Sequence, residues 1–104
     1  MLNVDSAFDR IGSALKKMGY ASQRDEKLPN SPDDRLTTFA SPKMSVRVRW
    51  MGKARMLILE IQVGGEWAEF ARRSFGPNGL EETTVEALVK AVAAEVSETS
   101  TDGG

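Results

Sequence analysis

The side chains that could do chemistry in this sequence are carboxylates, because the chain has no histidine and no cysteine. It therefore lacks an imidazole base, a thiolate nucleophile and the usual zinc ligands. A hairpin turn at Gly64-Gly65 would place Glu60 directly opposite Glu69, and paired carboxylates do acid–base work when one pKa is raised. Like charges that face each other on a sheet are unfavourable, so either arginines neutralise this pair or the register differs by one residue. On an open sheet face we expect no catalysis from it.

Other motifs with a known chemistry are missing from the sequence. It has no glycine-rich dinucleotide loop and no P-loop, and Gly76-Pro77-Asn78-Gly79 is a turn without a phosphate-binding lysine. Adjacent acidic residues occur at 25–26, 33–34 and 81–82, but none has the spacing of a calcium loop. We therefore predict a protein that is not an enzyme and that carries no metal ion and no cofactor.

A set of arginine, tryptophan and aliphatic side chains is the best candidate for a binding site. The predicted strands place them on one sheet face, with an apolar centre and an arginine-bearing rim, as in many binding or dimerisation patches. The alternative is that long arginine stems simply cover scattered apolar residues. The predicted binding residues are Arg47, Arg49, Met56, Ile58, Trp67 and Arg73.

Two classes of partner fit such a face. Trp, Met and Arg are enriched at the centres of protein interfaces, which predicts a protein partner or self-association, including a homodimer. The alternative is single-stranded nucleic acid, with arginines along the phosphates and Trp67 stacking on a base. Phosphate binding weakens steeply with salt, whereas binding through an apolar interface does not. We place protein binding first.

Two amphipathic helices and several strands must position this face. Apolar residues recur at helical spacing from Val4 to Met18 and again over about 80–97. Residues 20–34 show no periodicity and are expected to form a mobile loop. Strands are predicted at 35–40, which is the weakest, and at 44–50, 55–63 and 66–75.

The expected turns set the register of these strands. A two-residue turn at Gly64-Gly65 predicts Ile61 opposite Ala68, Leu59 opposite Phe70 and Leu57 opposite Arg72. A two-residue turn at Gly52-Lys53 predicts Val48 opposite Leu57 and Val46 opposite Leu59. The apolar residues then share one face. This predicts an α+β two-layer sandwich in the order α-β-β-β-β-α, with a three- to four-stranded antiparallel sheet and both helices on one side.

Length and composition agree with one small domain. The chain has 104 residues, of which 40% are apolar and 28% charged, which suits a single domain at 1–97 with a polar disordered tail at 98–104. The net charge is −1, but residues 42–75 hold seven basic and three acidic side chains. The N-terminus lacks the features of a signal peptide, and no apolar run would span a bilayer. We expect a cytoplasmic protein without a membrane partner.

Overall fold

The structure is a computed structural model that describes residues 2–28 and 31–102, with side chains described outside 26–28, 31–32 and 98–102. It is an α+β domain in the order α-β-β-β-β-β-α, with one more strand than the largest number predicted. All five strands form one antiparallel sheet in which each strand pairs with the next along the chain. The elements are α1 (Val4–Lys17), β1 (Ala21–Leu28), β2 (Ser31–Ala40), β3 (Ser45–Met51), β4 (Met56–Val63), β5 (Glu66–Ser74) and α2 (Glu82–Asp102).

Helix α1 begins and ends where its sequence provides caps. The side chain of Asn3 accepts a hydrogen bond from the backbone N–H of Ser6 at 2.7 Å, which satisfies one of the unpaired donors of the first turn. Gly19 follows the last turn with a φ of 92°, a left-handed conformation that glycine adopts without a steric penalty. The predicted helix from Val4 to Met18 is therefore confirmed to within one residue.

The prediction of a mobile loop at residues 20–34 is wrong for most of that range. It contains β1 and the first part of β2, while positions 29–30 of the predicted loop lie outside the described residues. Strand β1 is an outer strand, and its residues from Ala21 to Asp25 are exposed, so it lacks the apolar alternation that marks a half-buried strand. It is held instead by its pairing with β2.

The turn between β3 and β4 is longer than predicted. Met51 pairs with Met56, so the connection spans residues 52–55, and Arg55 adopts a positive φ of 49°. The pairing moves by two residues, and Val48 lies opposite Leu59 rather than Leu57. Because the side-chain period of a strand is two, this shift leaves every side chain of β3 and β4 on the predicted face.

A β-bulge at Phe70 changes the faces of β5. Ile61 pairs with Ala68 as predicted, but Leu59 pairs with Ala71 and Leu57 pairs with Arg73. The bulge inserts one extra residue into β5, which reverses the alternation beyond it. Arg73 therefore takes the register position of a core-facing residue, and the prediction that it shares a face with Arg47 is wrong.

Both helices pack on one side of the sheet, as predicted. Side chains of α1, α2, β3 and β4 form a single buried cluster that includes Ile11, Val48, Leu57, Leu59 and Leu88. Arg10 of α1 forms ion pairs with two glutamates of α2, at 3.1 and 2.8 Å, which join the helices at the surface. The opposite side of the sheet is covered by no helix of the described chain, and we call it the open face.

Helix α2 is longer than predicted at its C-terminal end. It continues to Asp102, through much of the segment that we expected to be a disordered tail. No glycine or proline interrupts the chain between Val96 and Asp102, so nothing in the sequence breaks the helix before Gly103. The last two residues of the predicted tail lie outside the described residues.

The single tyrosine, Tyr20, follows α1 and is buried, with 5% of its surface exposed. Burial raises the pKa of its phenol, because the charged form would lose its hydration. The nearby Ser41 hydroxyl favours the charged phenolate and so lowers this pKa, but its geometry does not make a hydrogen bond with Tyr20 Oη. The Tyr20 hydroxyl has no hydrogen-bond partner among the described residues. Burial therefore dominates.

We predict that Tyr20→Phe flattens the alkaline limb of the stability curve. A phenol whose pKa is raised by folding contributes stability that is complete below its unfolded pKa, about 10, and is lost as pH rises through the folded value. Phenylalanine does not ionise, so the free energy of unfolding of the variant should fall less steeply above about pH 10. Urea unfolding of both proteins across this range measures the difference.

The absorbance of tyrosinate provides the control, since all of it comes from Tyr20. It should appear at higher pH in the folded chain than in urea. Equal titration in the two states, or equal alkaline slopes for the two proteins, would contradict the prediction.

Candidate functional site

The open face is formed by alternate residues of the strands, and most of the predicted binding residues lie on it. It presents a mixture of arginine, glutamate, aliphatic and tryptophan side chains. From β2 to β5 these residues are Leu36, Thr38, Arg47, Arg49, Met51, Met56, Ile58, Glu60, Gln62, Trp67, Glu69 and Arg72.

Arg47 is held between two partners on neighbouring strands. Its Nε donates to Glu60 Oε1 at 2.9 Å, and its guanidinium carbon lies 4.2 Å from the centre of the Trp67 ring. The Arg47 and Glu60 side chains are both mostly buried, so their interaction is screened less by solvent than an exposed ion pair. This arrangement orders Arg47 and Trp67 relative to each other.

The two carboxylates that we singled out face each other, and arginines neutralise both. Glu60 pairs with Glu69 in the register, Arg47 binds Glu60, and Arg72 binds Glu69 through both of its carboxylate oxygens. The hydrogen bonds from Arg72 lower the pKa of Glu69 from its ordinary value. A lowered pKa keeps this carboxylate ionised at neutral pH, which is the opposite of what a general acid needs.

The apolar centre of the open face is more covered than a bare hydrophobic patch. Ile58 is only 8% exposed, although no described helix packs on it, and Met56 and Trp67 are partly buried. The register neighbours of Ile58 are Arg49 and Arg72, whose aliphatic stems flank it. The interpretation in which arginine stems cover apolar residues thus describes Ile58. Within the described chain, the large apolar residue that is exposed is Val63, at the end of β4.

Arg49 differs from the other arginines of β3 and β5 on this face. Unlike Arg47 and Arg72, it forms no ion pair or hydrogen bond with another described residue. It borders a recess of about 180 Å³ that is also lined by Asp34 and Met51. The Asp34 carboxylate is engaged there, since its Oδ1 accepts a hydrogen bond from the backbone N–H of Gly52 at 2.7 Å. The guanidinium of Arg49 therefore keeps its donors available for a partner.

Five of the six predicted binding residues share the open face, and the bulge removes the sixth. Arg73 is exposed, and its Nη1 donates to the carbonyl oxygen of Arg72. Arg72, which was not predicted, takes its place, and the paired glutamates also belong to the face. The register predicted from the sequence already placed the two glutamates opposite each other. No signal in the sequence indicated the bulge that brings Arg72 onto the open face.

Comparisons of the chain with models of protein families, with curated proteins and with solved structures find no match in any of the three. Within the described residues, no group of three or more carboxylates is placed to hold a metal ion. Neither helix of the described chain is long and apolar enough to span a bilayer.

We predict that Arg47 and Glu60 are energetically coupled. Arg47→Met leaves a mostly buried carboxylate without its partner, which should cost about 1–3 kcal/mol of unfolding free energy. The cost should shrink when Glu60→Gln is also present, with a coupling of about 1 kcal/mol. Urea denaturation of the wild type, both single variants and the double variant measures it.

Arg49→Met is the matched control, because Arg49 lies on the same strand and face without an ion pair. Its effect should stay within about 0.5 kcal/mol. Additive costs for Arg47→Met and Glu60→Gln would contradict the coupling.

Proposed function

We propose that this chain is a non-catalytic protein-binding module, of the kind found in adaptors, small inhibitors and dimerisation domains, and that it binds through the open face. The observation that carries the proposal is the pre-ordered pair of Arg47 and Trp67 on a sheet face that no described helix covers. Side chains that are already ordered lose less conformational entropy when a partner binds.

The size of the open face supports this proposal. With strands about 4.8 Å apart and a rise of about 3.3 Å per residue, five strands paired over about seven residues cover roughly 500–600 Å². Contact with one partner over this area would bury roughly 1,000–1,200 Å² in total, which is at the lower end of specific protein interfaces. The face therefore suits one partner of modest size, including a second copy of the chain.

The types of residue also favour a protein. Trp and Arg are the residues most enriched among those that carry binding energy, and methionine adapts to irregular surfaces. Arg49 adds a guanidinium whose donors no other described residue uses. A carboxylate or a backbone carbonyl of a partner would satisfy them.

The contacts within the face weigh against single-stranded nucleic acid, which is the second class of partner. Arg47 already covers the Trp67 ring, so a base would have to displace it in order to stack on that side. Arg47 and Arg72 are neutralised by glutamates, which reduces the charge available to phosphates. A protein partner does not have to displace Arg47 from the Trp67 ring, and it does not depend on an excess of positive charge.

We predict that a photo-crosslinking amino acid at Gln62 on the open face captures a discrete protein in the cells that express this chain. The same amino acid at Ala87, which is exposed on α2, is the matched control and should not capture the protein that position 62 captures. Trp67→Ala should remove most of the capture at position 62, because it deletes the tryptophan side chain that the open face offers to a partner. Gel analysis and mass spectrometry identify the captured band.

Equal capture at positions 62 and 87, or capture unchanged by Trp67→Ala, would count against the open face as the binding site. The molar mass in solution then distinguishes self-association from binding to a different protein. A mass that doubles with concentration and returns to that of a monomer with Trp67→Ala identifies the partner as a second copy.

We predict that a single-stranded oligonucleotide leaves the tryptophan fluorescence unchanged at low salt. Trp50 is buried in the core, so a change would come from Trp67 on the open face. A saturable change that fades as salt rises, and that Arg49→Glu abolishes, would overturn the proposal in favour of nucleic-acid binding.

A further inference from the structure

A second candidate site lies on the helix-bearing side of the sheet, away from the open face. A groove of about 430 Å³ separates α1 from strands β1 and β2. Its volume falls in the range of pockets that hold small molecules. It is independent of the open face, because it shares none of the predicted binding residues.

The groove is kept open by a small residue on the helix. Gly12 packs against the ring of Phe39, and a Cβ at this position would lie 3.0 Å from that ring. The next residue, Ser13, is also small and lines the groove. A larger side chain at either position would occupy the space above Phe39.

The sheet wall of the groove is a fixed network of polar side chains. Asp25 accepts two hydrogen bonds from the guanidinium of Arg35, at 3.1 and 3.0 Å, and one from the hydroxyl of Thr37 at 2.9 Å. Arg35 also binds Asp5 at 2.6 Å and lies 4.4 Å from the centre of the Phe8 ring. Arg35 is thus neutralised by its own neighbours, and Asp25 is held rigidly beside the groove.

The helix wall carries one negative and one positive side chain, those of Asp9 and Lys16. Asp9, Ser13 and Lys16 lie along one face of α1, because positions separated by four and seven residues recur on the same side of a helix. Two turns of helix separate Asp9 from Lys16 by about 10 Å along the axis. Neither forms an ion pair with another described residue, although the Asp9 carboxylate acts at longer range on the guanidinium of Arg35. The groove therefore has a negative and a positive group at its two ends.

A ligand that carries one charge meets an attractive group at one end and a repulsive group at the other. A molecule with both charges at matching separation satisfies both ends. Di- and tripeptides have this form, since two or three extended residues span about 7–10 Å between the ammonium and the carboxylate. Their uncharged middle would lie over Phe39, which lines the groove.

We propose that this groove binds a small zwitterionic peptide of two or three residues. Asp9, on the wall opposite the fixed carboxylate of Asp25, receives the ammonium group. Lys16 receives the carboxylate, with the hydroxyls of Ser13 and Ser22 as nearby donors. Phe39 contacts the middle of the peptide.

The test is an NMR titration of the full-length protein with Ala-Leu-Ala and its two capped forms. The free tripeptide should shift the amide signals of Ser13, Ser22 and Thr37 saturably. N-acetylation removes the ammonium and amidation removes the carboxylate, and each should weaken binding about two- to fivefold, as expected for a partly exposed ion pair.

Two surface variants assign each end of the peptide. Asp9→Asn should make the free and acetylated peptides bind alike while the amidated peptide remains weaker. Lys16→Gln should abolish the difference between the acid and the amide and retain the effect of acetylation. Lys17→Gln, at the neighbouring exposed position outside this groove, should change neither comparison.

Three outcomes would overturn the proposal. The first is the absence of a saturable shift with any of the three peptides. The second is a set of shifts that lies away from the groove. The third is equal affinity of the free and both capped peptides, which would mean that neither charge of the peptide contributes to binding.

Discussion

Helices α1 and α2 pack onto one side of the sheet, against the buried side chains of Val46, Val48, Leu57 and Leu59. This packing supplies the hydrophobic core of the domain, and with both helices on the same side it leaves the other side of the sheet without a covering element in the described chain. An antiparallel sheet tolerates such asymmetry, because alternate residues can face the core and the solvent. The open face is therefore a consequence of where the helices lie, and any function assigned to it depends on that packing.

Charges on the open face are arranged so that the sheet remains stable without a cover. Glu60 and Glu69 would repel each other across the β4–β5 pair, but Arg47 and Arg72 bind one each. The same arginines cover Trp67 and flank Ile58. A face of this kind can remain exposed to water and can also meet a protein partner, because its larger side chains are already ordered. Arg49 departs from the pattern, since its guanidinium has no described partner within the chain.

Sequence reasoning succeeded where short-range periodicity carries the signal and failed where pairing between strands decides the structure. The helices, the Gly64-Gly65 turn and strands β3 to β5 are marked by local patterns. Strand β1 has no such pattern, because both of its sides are polar and its hydrogen bonds come from β2. The bulge at Phe70 leaves no mark in the sequence either, and it exchanges Arg72 for Arg73 on the open face. The longer β3–β4 turn did not change which residues lie on the open face, because a register shift of two residues keeps each side chain on the same side of the sheet.

Local sequence patterns are sufficient to predict the α+β class, the single core and the grouping of Arg47, Arg49, Met56, Ile58 and Trp67 on one side of a sheet. These features follow from the helical period of 3.6 and the strand period of two, which are local properties of the chain. Local patterns do not predict the fifth strand, the place of Arg73 or the groove between α1 and β2, which arise from the packing of the whole chain. Each of these depends on contacts between residues far apart in the chain, such as Arg35 with Asp5 and Gly12 with Phe39, and such contacts exist only once the core has packed.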